Sequence, residues 1–357
     1  MHKPRARDLG LPFPGQTGPF NAITDVAGVT VGFATLTDPS RDMRTGVTAI
    51  RPRNDVGVPV PVWAGHYALN GNGEMTGTHW IDDAGYMIGP VCITNTHGVG
   101  AVHHGVTRWM IEHYAEFFRQ DHGWAMPVVA ETYDGVLNDI NALHVTPDDA
   151  IAALLTAKSG HVGEGSCGGG NGMIAYQFKA GTGTSSRVFE IGGRRYTMGC
   201  LVQANHGRRS DFQVLGTPVG QLMPEGVFER GLPQREMGSI IVVLITDAPL
   251  SGLSLRQVAK RAALGIGRGG TPGGNSSGDI FLALSVANPG PMPQRAAAVL
   301  TKTEINGELI DPLYLAAVQA VEEAVVNAIV AGEDVATFKP AGQIVPGIDT
   351  KRLAALF

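Results

Sequence analysis

A serine at the start of an apolar segment is the residue of this chain best placed for covalent chemistry. Ser239 follows Gly238, and the six residues from Ile240 to Ile245 are all aliphatic, as in a fully buried strand. A serine hydroxyl is a weak nucleophile at neutral pH and needs a base, but no histidine or lysine lies beside Ser239. A cut of the chain before the serine would supply that base, because a free α-amine has a pKa of about 7.7–8.0.

The residues on either side of this bond favour such a cut. Gly238 has no Cβ, so the hydroxyl of the next residue can reach its carbonyl. Residues 216–237 are rich in proline, glycine and charge and show no periodicity, which predicts an exposed connection from which a new C-terminus can move away. A second Gly-Ser pair at Gly165-Ser166 means that the dipeptide alone does not establish self-cleavage.

Three other patterns suggest different chemistry but lack the context that it requires. Residues 265–270 spell GxGxxG, but a predicted helix precedes them and a loop follows, whereas a dinucleotide site needs a strand before and a helix after. Residues 274–278 spell GxSxG between a loop and a strand, whereas a nucleophile elbow joins a strand to a helix. The histidines between residues 97 and 113 lack metal-ligand spacing, so we expect no metal.

Composition excludes several classes of protein. The chain has 357 residues and a net charge of −5, which argues against a nucleic-acid-binding protein. Three cysteines without CxxC spacing provide neither a disulfide framework nor a thiolate metal site. No signal-peptide pattern or long aliphatic segment is present, so we expect a soluble cytoplasmic protein without a membrane partner. A charged fraction of 17%, against about 25% in ordinary domains, indicates a large buried interior or a subunit interface.

Short apolar segments and capping signals predict the elements that position these residues. Strands are predicted at residues 29–34, 46–51, 58–63, 91–96, 239–245 and 280–286. Helices are predicted at residues 107–118, 147–159, 255–264 and 311–332, the third of them with a capping box at Ser254 and Gln257. Strands and helices alternate without a strict βαβ rhythm, which favours a layered α/β protein with a buried sheet.

Nine segments together carry a family resemblance. They are RARDLGLPFPG (5–15), NAITDVAGVTVG (21–32), NGNGEMTG (70–77), VVAETYDG (128–135), LNDIN (137–141), FKAGTGTSSR (178–187), LVQANHG (201–207), MGSIIVVLITDAPL (237–250) and GGNSSGDIFLALS (273–285). In this order they resemble the DmpA family of L-aminopeptidase/D-esterases and β-peptidyl aminopeptidases. The resemblance implies one α/β domain over 1–357, an αββα sandwich like that of N-terminal nucleophile hydrolases with the connectivity of the ornithine acetyltransferases. It also implies self-cleavage into 1–238 and 239–357.

The resemblance implies roles for residues around the predicted nucleophile. The cut falls between Gly238 and Ser239, and Ser239 is the nucleophile. Ser277 and Asp279 match the positions that orient and assist it, and a hydroxyl and a carboxylate two residues apart at a strand start can point the same way. Asn205 matches the side chain that helps form the oxyanion hole. From the residues alone, Ser277, Asp279 and Asn205 are also common in turns.

Two further residues are implied to bind the substrate. Glu131 matches the carboxylate that binds the free amino group of the substrate, a charge pairing that would make the enzyme an aminopeptidase rather than an endopeptidase. Tyr133 matches a tyrosine that lines the same pocket, with plain aromatic packing as the alternative. Some β-peptidyl members carry glutamate at the Asp279 position, so the preference for α- or β-peptides stays open.

The expected activity is hydrolysis of N-terminal residues from short peptides, amides or esters. The resemblance implies no metal or organic cofactor and a homo-oligomer, a tetramer of processed protomers. Two alternatives remain at this point. One is an acyltransferase like the ornithine acetyltransferases, which use threonine where this chain has Ser239. The other is a non-catalytic metabolite-binding relative, whose chain would stay uncut.

Overall fold

Two β-sheets stack face to face, and helices cover the outer side of each. The computed structural model describes residues 3–227 and 238–357. Within them, the strands are β1 Thr30–Asp38, β2 Met43–Arg51, β3 Val62–Ala68, β4 Tyr86–Met87, β5 Val91–Asn95, β6 Val128–Thr132, β7 Ile174–Ala175, β8 Phe178–Lys179, β9 Thr182–Ile191, β10 Arg194–Asn205, β11 Ser239–Thr246, β12 Gly278–Ser285, β13 Val335–Ala336 and β14 Ile344–Val345. The α-helices are α1 Thr78–Ala84, α2 Val99–His113, α3 Ala115–Gln120, α4 Pro147–Leu155, α5 Val219–Leu222, α6 Gly252–Arg268, α7 Asp311–Val330 and α8 Thr350–Ala354.

The order of the strands places β11 inside the larger sheet. The smaller sheet has the order β1-β2-β5-β6, and the larger sheet has the order β4-β3-β12-β11-β10-β9. Strand β11 pairs antiparallel with β10 and parallel with β12. Its eight residues are all buried, as the aliphatic sequence predicts for a strand covered on both faces.

Alternating side chains of β11 build two different cores. Ile241, Val243 and Ile245 pack against the smaller sheet. Their neighbours Ile240, Val242 and Leu244 face the opposite way, toward α6 and α7. A third core lies between the smaller sheet and α2 and α4. The layers are therefore helix, sheet, sheet and helix, which agrees with the predicted αββα sandwich.

Helix α7 is an internal part of the outer layer. By length and composition it is the one helix among the described residues that could cross a membrane, but 83% of its apolar stretch is buried inside the protein. It packs closely on β9, where a Cβ at Gly183 would lie 2.0 Å from the Ala324 carbonyl oxygen. The burial and this close approach identify α7 as a core helix.

Several predicted boundaries are wrong. The strand predicted at 58–63 is β3, which begins at Val62, because Pro59 and Pro61 cannot donate to a strand ladder. The helix predicted at 107–118 is two helices, α2 from Val99 and α3 from Ala115. The helix predicted from Pro147 is α4, which ends at 155 rather than 159.

Helix α6 is longer than predicted at both ends. Ser251 caps it, not Ser254, and its hydroxyl accepts the Ser254 N–H at 3.3 Å. The GxGxxG segment was expected to follow the helix, yet Gly265 and Gly267 lie inside it. The segment predicted as an exposed connection is partly buried, since it contains α5. Residues 228–237 of that segment lie outside the described residues.

An ion-pair network ties the N-terminal segment to α7. The Glu323 carboxylate is buried and accepts hydrogen bonds from Arg187 (2.6 Å), Arg7 (3.0 Å) and Asn21 (2.5 Å). Burial alone would raise the pKa of Glu323, but Arg187 and Arg7 hold that pKa below its usual value. The network joins residues more than 300 positions apart in sequence.

We expect Glu323→Ala to destabilise the protein by about 3–5 kcal/mol, because it leaves the buried Arg187 guanidinium without its carboxylate. Urea unfolding followed by circular dichroism measures this free energy, with Ser239→Ala present in both variants so that the chain stays in one piece and can refold. The matched control is Glu333→Ala, which removes an exposed carboxylate paired with Lys3 and should cost less than about 1 kcal/mol. Equal losses in the two variants would contradict the role given to the buried network.

Candidate active site

The first residue of β11 is held by a strand on each side. Ser239 pairs with Asn205, the last residue of β10, and with Gly278, the first residue of β12. The preceding carbonyl, that of Gly238, accepts the Gly278 N–H at 3.1 Å. Ser239 is only 3% exposed. The bond between Gly238 and Ser239 therefore lies at the start of an interior strand of the larger sheet, with its carbonyl oxygen already bound to an N–H donor.

Gly238 is enclosed so closely that a side chain has no room. A Cβ at this position would lie 2.1 Å from the Asn205 carbonyl oxygen and 2.9 Å from the His206 Cα. Contacts below 3.0 Å are essentially never made by real Cβ atoms. Glycine is therefore required here by packing, in addition to the reach of the serine hydroxyl.

Ser277 and Asp279 form a hydrogen-bonded pair at the start of β12. The Ser277 hydroxyl donates to Oδ1 of Asp279 at 2.6 Å, and both residues are buried. Asn70 donates its amide to the other carboxylate oxygen at 3.1 Å and to the Gly274 carbonyl at 3.2 Å. The predicted common direction of Ser277 and Asp279 is present, and their burial argues against simple surface-turn chemistry. Sequence reasoning missed Asn70, although it begins the NGNGEMTG segment.

The Asn205 side chain is fixed at both ends. Its Oδ1 accepts the Ile174 N–H at 2.9 Å, and its Nδ2 donates to the Tyr133 carbonyl at 2.9 Å. An amide nitrogen carries two hydrogens, so a second donor remains on Nδ2 beside Ser239. This geometry suits stabilisation of a developing oxyanion.

Glu131 lies within a few ångströms of the same strand ends. Its carboxylate accepts the Glu74 N–H at 3.0 Å and the hydroxyl of Thr96. A Cβ at Gly73 would be 3.2 Å from Glu131 Oε1 and 3.3 Å from the Gly278 Cα, so only the glycine separates the carboxylate from β12. Burial raises the pKa of Glu131, and the hydrogen bonds from Thr96 and Glu74 oppose that shift. Thr96 was not predicted from the sequence.

Tyr133 follows the last residue of β6, on the edge of the site. Its carbonyl holds Asn205, and its ring is folded back toward Gly135, where a Cβ would be 2.2 Å from the phenol oxygen. The residue is 48% exposed. This exposure shows that the Tyr133 side chain is not part of a buried core.

The histidines considered for a metal site lie along one region of the chain, between residues 97 and 113. His103 and His104 are on α2, His97 precedes that helix and His113 ends it. Within residues 3–227 and 238–357, no group of three or more histidine, cysteine, aspartate or glutamate side chains is arranged to hold a metal ion.

Comparisons with known proteins agree with this geometry. The model of peptidase family S58 matches residues 21–342. The β-peptidyl aminopeptidase BapA of Sphingosinicella microcystinivorans is 46% identical over 349 residues, which cover 92% of this chain and 86% of BapA. A β-aminopeptidase from a Burkholderia species has a solved structure with a TM-score of 0.89 and 44% identity, covering 99% of this chain and 98% of that chain.

A further solved structure gives the fold class. It is the L-aminopeptidase D-Ala-esterase/amidase of Ochrobactrum anthropi, described as a prototype for the serine aminopeptidases and a new variant of the Ntn hydrolase fold. Its TM-score is 0.94 and its sequence is 56% identical, covering 99% of this chain and 98% of that chain. This likeness confirms the predicted relation to N-terminal nucleophile hydrolases. The chain belongs to peptidase family S58 and has the Ntn hydrolase fold.

Proposed function

We propose that this chain is a serine aminopeptidase whose nucleophile, Ser239, is freed by cleavage of the chain before it. The observation that carries the proposal is the placement of Ser239 as the first residue of a buried central strand, with Asn205 opposite and the Ser277–Asp279 pair on the adjoining strand. Membership of family S58 and the names of the relatives support the aminopeptidase activity. The single domain over 1–357 and its division at 238/239 belong to this proposal.

Self-cleavage begins with attack of the Ser239 hydroxyl oxygen on the Gly238 carbonyl carbon. The oxyanion forms on an oxygen that already accepts the Gly278 N–H, a backbone donor suited to stabilise it. Breaking the C–N bond leaves Gly238 esterified to the serine oxygen and frees the Ser239 α-amine, which takes up the proton that the hydroxyl loses. Water then hydrolyses the ester, giving a carboxylate on Gly238 and restoring the hydroxyl.

Turnover uses the amine that this cut creates. The α-amine takes the proton from the Ser239 hydroxyl as its oxygen attacks the substrate carbonyl carbon, because its pKa is near neutral pH. The second N–H of Asn205 Nδ2 stabilises the oxyanion, an effect worth about 3–4 kcal/mol in another hydrolase. The ammonium then gives its proton to the leaving amine, and water hydrolyses the acyl-enzyme. In this scheme Ser277 and Asp279 orient the amine.

Glu131 selects substrates that carry a free amino terminus. A substrate ammonium beside its carboxylate forms a charge-assisted hydrogen bond. Tyr133, exposed at the rim, lines the same pocket. The substrates proposed are short peptides, amino-acid amides and esters, with α- or β-amino acids at the amino terminus; the β-peptidyl relatives support the latter.

We further propose a homo-oligomer, a tetramer of processed protomers, in the cytoplasm. Leu264 of α6 and Leu315 of α7 are 59% and 50% exposed on the outer helical layer. Exposed apolar side chains grouped on one face are typical of subunit interfaces. The cytoplasmic location is proposed from the sequence pattern alone.

Denaturing mass spectrometry tests the nucleophile. The wild-type chain should give two fragments of about 25 and 12.5 kDa, since 238 of 357 residues is two thirds of 37.5 kDa, and the smaller should begin at Ser239. Ser239→Ala should remain a single 37.5 kDa species and hydrolyse no amino-acyl p-nitroanilide, because both steps need the hydroxyl.

Ser276→Ala is the matched control, since it removes a neighbouring serine hydroxyl outside the Ser277–Asp279 pair and should leave both fragments and activity. A cut, active Ser239→Ala protein would overturn the proposal. So would an uncut wild-type chain, or a cut chain that transfers acetyl from an acetylated amino acid to glutamate without hydrolysing peptides.

Glu131→Gln tests the binding of the amino group. The variant should keep self-cleavage but lower kcat/KM for amino-acyl p-nitroanilides by about 10–100-fold, because it loses a hydrogen bond to a charged group worth about 1.5–3 kcal/mol. Initial rates at pH 7.5 measure this. Glu190→Gln, at an exposed position of β9, is the control and should leave kcat/KM unchanged. An N-acetylated substrate cleaved equally by wild type and Glu131→Gln, at the rate of the free amine, would contradict the assignment.

A further inference from the structure

His206 is a buried residue whose polar atoms the scheme above does not use. It follows Asn205 at the end of β10 and is 2% exposed. Among the described residues, neither of its ring nitrogens has a hydrogen-bond partner. A buried polar group left unpaired costs about 1–3 kcal/mol. An unpaired imidazole at this place therefore indicates a hydrogen-bond partner that is not yet present in the uncut chain.

The strand register places His206 beside the bond to be cut. Because Asn205 pairs with Ser239 in an antiparallel ladder, His206, the residue after β10, lies opposite Gly238. A Cβ built at Gly238 would lie 2.9 Å from the His206 Cα, so the two backbones are in contact. The imidazole ring packs edge-on against Tyr176, with centroids 5.1 Å apart.

The alternation of side chains divides the site between two faces of the sheet. Asn205 and Ser239 lie on the face toward the smaller sheet, together with Ile241. His206 and Asp279 alternate with these residues and lie on the face toward α6. The backbone nitrogen of Ser239 is in the plane of the sheet, so it separates the nucleophilic hydroxyl on one face from the imidazole and the carboxylate on the other.

Burial keeps the His206 imidazole neutral, against the charge of a nearby carboxylate. Burial lowers its pKa, the Asp279 carboxylate opposes the shift, and the pKa is about 4. From the adjoining elements, Tyr176 presents a phenol ring, and the Arg209 guanidinium is bound to the backbone carbonyls of Tyr176 and Gln177. A neutral imidazole offers one donor and one acceptor nitrogen.

We propose that His206 is a positioning residue for the α-amine of Ser239, accepting a hydrogen bond from it after the chain is cut. The inference rests on the proposed function. When Gly238 leaves, the amine occupies the position between the imidazole and Asp279. During turnover the proton passes from the Ser239 hydroxyl to the amine and on to the leaving group. No proton is transferred to His206, which directs one N–H of the ammonium and so keeps the nitrogen lone pair of the free amine aimed at the hydroxyl.

The test compares His206→Phe with His206→Gln in the full chain. Phenylalanine fills the space without an acceptor, whereas glutamine keeps one. Because an acceptor favours the charged amine and raises its pKa, its loss should move the acidic limb of kcat/KM against pH to lower pH, by about one unit. We also expect kcat to fall about tenfold from misorientation. His206→Gln should restore the position of the limb.

Stability separates positioning from packing. In the uncut Ser239→Ala chain, where both ring nitrogens are unpaired within the described part of the chain, adding His206→Phe should leave the thermal midpoint unchanged or raise it, because it removes unpaired buried nitrogens. His144→Phe is the matched control: its ring nitrogens also lack partners among the described residues, and the pH profile should not move. A ring ¹⁵N signal of His206 should also change to that of a hydrogen-bonded acceptor in the cut wild type but not in uncut Ser239→Ala.

Three results would overturn the inference. One is a His206→Phe enzyme with the wild-type pH limb and kcat. Another is a loss of thermal stability in both His206 variants with the limb in place, which would mean a packing role. The third is an identical His206 ring ¹⁵N signal in cut and uncut chains, a result that does not depend on either variant folding. An uncut or inactive wild-type chain would instead overturn the proposed function.

Discussion

The ladder that joins β10, β11 and β12 at Ser239 is the constraint on which the rest of the site depends. It brings together residues from positions 205, 239 and 278, which are far apart in sequence, and fixes their spacing to that of hydrogen-bonded strands. Buried aliphatic residues on both faces of β11 keep this ladder in a single register. A slip of one residue would turn Ser239 away from Asn205, so the packing of the core and the chemistry of the site have a common origin.

The site also depends on main chains that lie in direct contact with one another. Gly238 lies against Asn205, Gly278 lies against Asn72, and Gly73 lies between Glu131 and β12; a Cβ at Gly238 or Gly278 would come within 2.4 Å of a carbonyl oxygen. The loop that contains Gly73 thereby brings Asn70 to Asp279 and the Glu74 N–H to Glu131. Glycine is needed at these positions because the main chains pack directly against one another, and side chains would hold them apart.

The sequence could predict those features of the fold that neighbouring residues determine. An aliphatic run after Gly238-Ser239 defines a buried strand and its first residue without any knowledge of the fold. Helix ends are harder to predict, because Ser251 and Ser254 are both competent caps and only the tertiary structure selects Ser251. Contacts such as Asn70 with Asp279, or Thr96 with Glu131, join separate segments and have no local signal. The family resemblance supplied Asn205 and Glu131, which turn propensity or strand pattern alone would not single out.

The strands also determine what a cut before Ser239 would do to the molecule as a whole. β11 and β12 lie downstream of that bond, yet they are inserted between β10 and β3 from upstream, and Glu323 from downstream binds Arg7 and Arg187 from upstream. The two pieces would remain one interleaved body, since parting them would break two strand pairings and expose four strand edges. The covalent link between the two pieces would then be needed only when the chain first folds. Reassembly from separated pieces would be bimolecular and exposed to aggregation, so the mature protein would persist through the height of its unfolding barrier rather than through reversible equilibrium.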